Sequence, residues 1–369
     1  MATRFEIVLH GENPVSLRSA GEEALDEIER LEARLSLFRP SSEIAHLNAR
    51  AAKGPVRVTP GLFALLQHAQ KLNTETGGAF DITIAPLVRC WGFMGGSGHL
   101  PKPDELAEAR SCIGMSLVLL DRGDFTVRFA REGVMLDLGA IGKGYAIERA
   151  TEVLREAGIT NALLHGGTSS VQALGHPPDA EFWKIAIEYP QAAAGFPHVT
   201  SSSESRHQPE AAPPAIAILG SRKHGEVADA SPALLATVPL RDEAMSVSAV
   251  WGKSFQAEGK TFGHILDPRT GQPATGTALA AVVLPSATET DALSTALLTL
   301  GAPGHQTIAT LRPGMRTLLV ADSDGHFRVV ARGIPVLSGV KSGDGGPAGL
   351  DTGLAAPQSR GILASLPQR

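Results

Sequence analysis

An α+β fold, in one large body or two intimately joined lobes, is predicted by three features of this sequence. Its 369 residues exceed what a single hydrophobic core usually supports. Segments that alternate at every second residue, as strands do, are interspersed with segments whose apolar residues recur at helical spacing. Forty glycines and 25 prolines supply the turns between them, with a surplus for irregular sequence.

Residues 5–10 alternate as a strand, and a helix over 16–37 follows because Ala24, Leu25, Ile28, Leu31 and Leu35 share one face; Pro40 ends that segment. A second amphipathic helix is predicted over 60–72. Residues 74–86 then pass through Gly77-Gly78 into an apolar stretch ending in Trp91-Gly92-Phe93, and 95–103 read as a loop. Residues 116–129 alternate in two runs about Arg122-Gly123-Asp124, the pattern of a hairpin, and 134–138 read as a further strand. A glycine-rich turn over 139–142 opens a helix over 144–157, which Gly158 stops, and strands over 162–165 and 170–174 flank another glycine turn. From 191 to 232 Ala, Pro, Ser and His dominate without a period, which predicts a flexible insertion. Order returns over 235–240 and 247–266 and closes with a strand at 279–284, a helix at 289–300 and a hairpin over 317–330. The ordered domain is thus expected over 1–333, with 334–369 a disordered tail.

Net charge is -5 without any block of basic residues, so the footprint of a nucleic-acid binder is missing. Cys90 and Cys112 cannot build a disulfide framework and have no histidines at zinc-site spacing, so buried free thiols are expected. The first seven residues alternate instead of forming a basic and apolar leader, and every apolar run is shorter than the ~20 residues a bilayer requires. A cytoplasmic chain without a membrane span is the expectation.

Three segments carry chemistry. Asp137-Leu138-Gly139-Ala140-Ile141-Gly142-Lys143-Gly144-Tyr145 joins a strand to a helix through a glycine turn, where free amides and a lysine can meet an anion. A Walker A loop would need Gly at 137 and Ser or Thr at 144, so P-loop hydrolysis is disfavoured; an ordinary strand-to-helix turn is the bland alternative. In Thr288-Glu289-Thr290-Asp291-Ala292-Leu293-Ser294-Thr295, Asp291 and Thr295 share a helix face and offer hard oxygens of the kind Mg²⁺ takes together with phosphates. Thr288 and Asp291 also fit a capping box, and Thr295 could bond back to its own helix. Finally, Gly263-His264-Ile265-Leu266-Asp267-Pro268-Arg269-Thr270-Gly271 is a strand entering a turn; His264 is a candidate general base or phosphate donor, with a structural strand histidine the commoner alternative, Asp267 a turn initiator and Arg269 a solvated side chain. Gly77-Gly78-Ala79-Phe80-Asp81 and His165-Gly166-Gly167-Thr168 each bring backbone close to something, and no Gly-x-Ser-x-Gly elbow supports a lipase-like reading of the latter.

In this order, and with Met1-Ala2-Thr3 at the start and Phe38-Arg39-Pro40-Ser41-Ser42-Glu43 plus Asn48, these segments resemble the ApbE family of FAD:protein FMN transferases from Met1 to about Val330. The resemblance implies a mixed α/β, two-lobed, T-fold-like architecture with the cofactor between the lobes. It implies Mg²⁺ held by the Ala140 carbonyl and the side chains of Asp291 and Thr295. It places FAD, the substrate, against Met1, Phe38, Ala79, Phe80, Asp81, Asp137, Lys143 and Ile265, with His264 and Asp291 as catalytic groups. A Thr or Ser hydroxyl of a flavin-acceptor protein would take FMN while AMP leaves; an FAD-binding protein or an FAD pyrophosphatase are the alternatives. The chain departs from the family where Thr-Ser-Gly is usual, carrying Ser248-Ala249-Val250-Trp251-Gly252, and where Gly-Gly-Asp is usual, carrying Gly166-Gly167-Thr168.

Overall fold

The computed structural model describes residues 3–190, 216–218, 234–250, 252–323, 326–337 and 362–365. Among them an antiparallel sheet of 8 strands runs in the order His326–Arg332, Arg316–Ser323, Thr277–Leu284, Ala244–Ala249, Ser170–Leu174, Asn161–Gly166, Phe5–His10, Ile362–Ser365. Its central strand Thr277–Leu284 is buried at every position, and the period of two explains why. Ala280, Val282 and Leu284 enter a core shared with the helices, whereas Leu279, Ala281 and Val283 enter a second core. That second core is closed by a sheet of 3 strands, Ile216–Ile218, Trp183–Glu188 and Leu234–Leu240. A sheet covered on both faces cannot show the apolar and polar alternation of a half-exposed one.

Helices Pro14–Leu35, Gly142–Glu156 and Ala287–Ala309 cover the first face. The first begins earlier than its periodicity suggests because Asn13 caps it, accepting from Val15 N and Ser16 N, with Pro14 at the first position. The last runs past the expected stop at residue 300: Gly301, at φ 63° and ψ -160°, kinks it ahead of Pro303, and helix resumes to Ala309. Three helices, Glu43–Arg50, Ala85–Cys90 and Pro103–Ser111, are too short to display a period; Ser42 caps the first and Pro103 opens the third.

The strand expected over 134–138 joins no sheet. A side-chain amide takes the place of a neighbouring strand: Leu136 N donates to Asn48 Oδ1 at 2.8 Å, and Asn48 Nδ2 donates to the Leu136 carbonyl at 3.0 Å. Asp137 N is satisfied by the Ile82 carbonyl at 2.7 Å. A smaller apolar cluster, with Trp91 and Phe93, packs beneath the hairpin Ser254–Ala257 and Lys260–Gly263, whose Phe255 and Phe262 rings stack at 5.2 Å.

Residues 216–218 and 362–365 lie within the stretches read as insertion and tail; each pairs as a strand, and the remainder of 191–233 and 338–369 lies outside the described residues. Cys112 is buried and Cys90 half-buried, both free. No described helix is long and apolar enough to cross a membrane.

Candidate active site

The Gly142–Glu156 and Ala287–Ala309 helices meet at their N-terminal ends, and Gly144 sets how closely. A Cβ there would stand 2.0 Å from the Ala287 carbonyl oxygen and 2.8 Å from Asp291 Cβ. With no side chain in the way, the Asp291 carboxylate reaches the start of the other helix. Gly144 N donates to its Oδ2 at 3.0 Å and Lys143 Nζ to its Oδ1 at 3.1 Å, while Ser170 Oγ lies 3.5 Å from Oδ1. Asp291 is 4% exposed. Position 141, the N-cap of the Gly142–Glu156 helix, is Ile and offers no capping oxygen. Asp291 therefore supplies the anion that this helix start favours.

The capping-box reading of Thr288 and Asp291 is corrected. Ser286 is the N-cap, accepting from Glu289 N at 3.2 Å, and Asp291 sits beyond the first turn with its carboxylate directed at the neighbouring helix. One turn further on, Thr295 Oγ1 bonds back to the Asp291 carbonyl at 3.3 Å and also lies 3.1 Å from Ser248 Oγ, which is 2.9 Å from Ser294 Oγ. Ser246 pairs with Thr290 beside them at 3.0 Å. Ser170 and the role of Ser248 are missing from the sequence-based site. A signal exists for the serine strand: 246 and 248 are polar on one face of a strand that runs through the core.

One carboxylate and several hydroxyls are a hard-oxygen donor set, which fits Mg²⁺ and leaves positions for water and phosphate. Among the described residues no group of three or more His, Cys, Asp or Glu side chains could hold a metal by itself. Ala140 lies in the same turn, next to Gly139, whose carbonyl is 3.4 Å from Lys143 Nζ.

Asp137 borders this cluster. Burial pushes its carboxyl above the usual carboxylate range, opposed by a 2.8 Å bond from Gly139 N and by the Lys143 charge. Asp81 is also pushed up by burial, yet its oxygens are already engaged: Thr83 N and Oγ1 on Oδ1, at 2.7 and 2.6 Å, and Asn73 Nδ2 on Oδ2 at 3.0 Å. Ala79 and Phe80 are buried, with Ala79 N donating to the Thr76 carbonyl, Phe80 N to Thr76 Oγ1 and the Phe80 carbonyl accepting from Asn73 Nδ2, and Ile265 is half-buried against the main core. Phe38 is 73% exposed just past the first helix; Met1 lies outside the described residues. Among the described residues no hydrogen bond or ion pair joins Phe38, Ala79, Phe80, Asp81 or Ile265 to the Asp291 cluster.

His264 leaves the Ser254–Gly263 hairpin with Nδ1 3.2 Å from the Lys253 carbonyl and its ring 6.5 Å from that of Phe93. Burial holds its pKa below the ordinary imidazole value, so the ring is neutral near pH 7 and able to accept a proton. Because the folded-state pKa is the lower one, the folded protein binds fewer protons than the unfolded chain. Stability should accordingly decline as pH falls from about 6.5. His264→Gln should remove that share of the acid-side slope, as read from urea midpoints between about pH 5 and 7. An unchanged slope would show the ring to be solvated.

Arg269 is not a free solvated side chain, as expected, but forks onto Asp267, with Nε and one terminal nitrogen donating at 2.9 and 2.7 Å. The turn itself matches expectation: Gly271, at φ 74°, donates to the Asp267 carbonyl at 2.7 Å.

Residues 1–319 match the model of the ApbE family. The FAD:protein FMN transferase of Treponema pallidum is 29% identical over 329 residues, 87% of this chain and 82% of that protein. That of Haemophilus influenzae is 27% identical over 322 residues, 85% and 82% of the two chains. The apo crystal structure of the Pseudomonas stutzeri flavinyl transferase ApbE superposes with a TM-score of 0.70 at 25% identity, covering 89% of this chain and 91% of that one.

Proposed function

Because the chain belongs to the ApbE family, we propose that it moves FMN from FAD onto a Thr or Ser hydroxyl of an acceptor protein, with Mg²⁺ held by Asp291, Thr295 and the Ala140 carbonyl. The observation that carries this reading is the buried Asp291 carboxylate, lodged among Lys143, the Gly144 amide and the Ser170 hydroxyl at an anion-favouring helix start, with the Thr295 and Ser248 hydroxyls one turn further along its helix.

The chemistry is a phosphoryl transfer, in which positioning and charge neutralisation do most of what is required. The acceptor oxygen attacks the phosphorus on the flavin side, the bond from that phosphorus to the bridging oxygen breaks, and AMP leaves with that oxygen. The hydroxyl proton passes to a base, for which neutral His264 is the candidate. Mg²⁺, when bound, neutralises charge on the pyrophosphate. Lys143, beside Asp291 at the start of the Gly142–Glu156 helix, adds a positive charge for the same anion from the protein side.

Two measurements test this reading. AMP release from FAD should require Mg²⁺, stop on chelation and depend on an acceptor domain. AMP formed equally without acceptor would instead identify a pyrophosphatase, and FAD bound without AMP a binding protein. Lys143→Met should weaken FAD binding by about tenfold or more, on the scale of one charge-assisted hydrogen bond, and should flatten its salt dependence. Equal FAD dissociation constants and salt slopes in both proteins would remove Lys143 from the site.

A further inference from the structure

The helix that Asp291 caps returns the interaction. Glu148, one turn past Gly144 on the Gly142–Glu156 helix, directs Oε2 at the start of the Ala287–Ala309 helix, where it accepts from Ser286 Oγ at 2.7 Å and from Thr288 N at 2.8 Å. Asp291, on the helix so capped, accepts from Gly144 N at 3.0 Å. Each helix start thus receives a carboxylate from the other, carried within the first two turns of its own helix. The two bridges are parallel links between the same pair of helices. Together they fix both the distance and the axial register between the glycine turn and Asp291. With Gly144 already in contact with Ala287, the pair can neither approach further nor slide without breaking one bridge.

We propose that Glu148 is a positioning residue for the Asp291 cation site. It contacts neither cation nor flavin, and it acts by holding the Ser286–Asp291 turn against the Gly139–Gly144 turn, so that the Asp291 carboxylate stays lodged at the start of the other helix. This inference rests on the proposed function, since it concerns the cation site that function requires. Outer contacts of this kind typically carry a ten- to hundredfold effect on metal affinity.

The test is Mg²⁺ binding to the full chain without flavin, by calorimetry, together with the Mg²⁺ dependence of AMP release. Glu148→Ala should raise the Mg²⁺ dissociation constant at least about tenfold and leave kcat at saturating Mg²⁺ within about twofold of wild type. Glu148→Gln keeps a carbonyl oxygen for Thr288 N and Ser286 and should restore most of the affinity. Should Glu148→Ala fail to fold, Glu148→Gln and Ser286→Ala decide the question, the latter removing one of the two bonds and producing a smaller loss. Wild-type Mg²⁺ affinity in folded Glu148→Ala, or in Ser286→Ala when the first does not fold, would overturn the proposal and leave Glu148 as a helix cap alone. Absence of saturable Mg²⁺ binding in the wild-type protein would instead contradict the proposed metal-dependent function.

Discussion

Asp291→Ala should reduce Mg²⁺-dependent AMP release by at least about a hundredfold, because the single carboxylate of the cation site is lost. It should also cost stability, which a surface ligand would not. Asp291 is buried, and its removal leaves Gly144 N without an acceptor and the Lys143 ammonium without its charged partner. A buried donor left unsatisfied costs ~1–3 kcal/mol, and the lysine, partly exposed, recovers some hydration. We expect a total near 2 kcal/mol in urea denaturation. Asp291→Asn separates the two effects: an amide oxygen can still accept from Gly144 N, so stability should be largely kept while turnover is lost. Adding Thr295→Val to Asp291→Ala should change the rate little, since groups that form one site are not additive. Wild-type turnover by Asp291→Ala at ordinary Mg²⁺ would remove Asp291 from the chemistry.

Gly144→Ala should be strongly destabilising although the change is small. In most helix interiors alanine is better than glycine by ~0.5–1 kcal/mol. Here the added methyl would sit 2.0 Å from a backbone carbonyl of the partner helix, and a backbone atom cannot rotate away. The helices would have to separate, opening the Asp291 to Gly144 bond and the core contacts below it, and overpacking of this severity costs ~3 kcal/mol or more. Gly61→Ala is the control: it lies in the Pro60–Glu75 helix, where a Cβ would meet Tyr145 Oη at 3.4 Å, an acceptable contact, so that variant should be neutral or slightly stabilised. A Gly144→Ala protein as stable as wild type would mean the two helices are not held at this distance.

Why some of this was legible in the sequence and some was not follows from how far apart the partners lie. The Asp291 and Thr295 pair and the Lys143 turn are local patterns, one helical and one glycine-rich, and each can be read within nine residues or fewer. Their meeting adds long-range contacts that no window contains: Ser170 reaches Asp291 across 121 residues and Glu148 reaches Thr288 across 140. Asn48 carried a family signature, but its bond to Leu136 spans 88 residues, and the same bond is why 134–138 imitated a strand without pairing as one. Long amphipathic helices are legible, although the helix expected over 289–300 continues past Gly301 to Ala309, because a glycine kink followed by a proline carries no period that marks the helix as resuming. The three short helices, each of two turns or about that, gave no period to detect. Arg269 was expected in solvent since a turn arginine usually is; its fork onto Asp267, two residues away, depends on a side-chain geometry that spacing does not specify.

Intact-protein mass spectrometry of an acceptor domain, after incubation with this protein, FAD and Mg²⁺, tests the central claim most directly. The expected product is an acceptor heavier by one phosphoester-linked FMN, formed in equal amount to the AMP released, and absent when Asp291→Ala replaces the wild-type protein. An acceptor of unchanged mass beside continuing AMP release, or equal modification by Asp291→Ala, would contradict it.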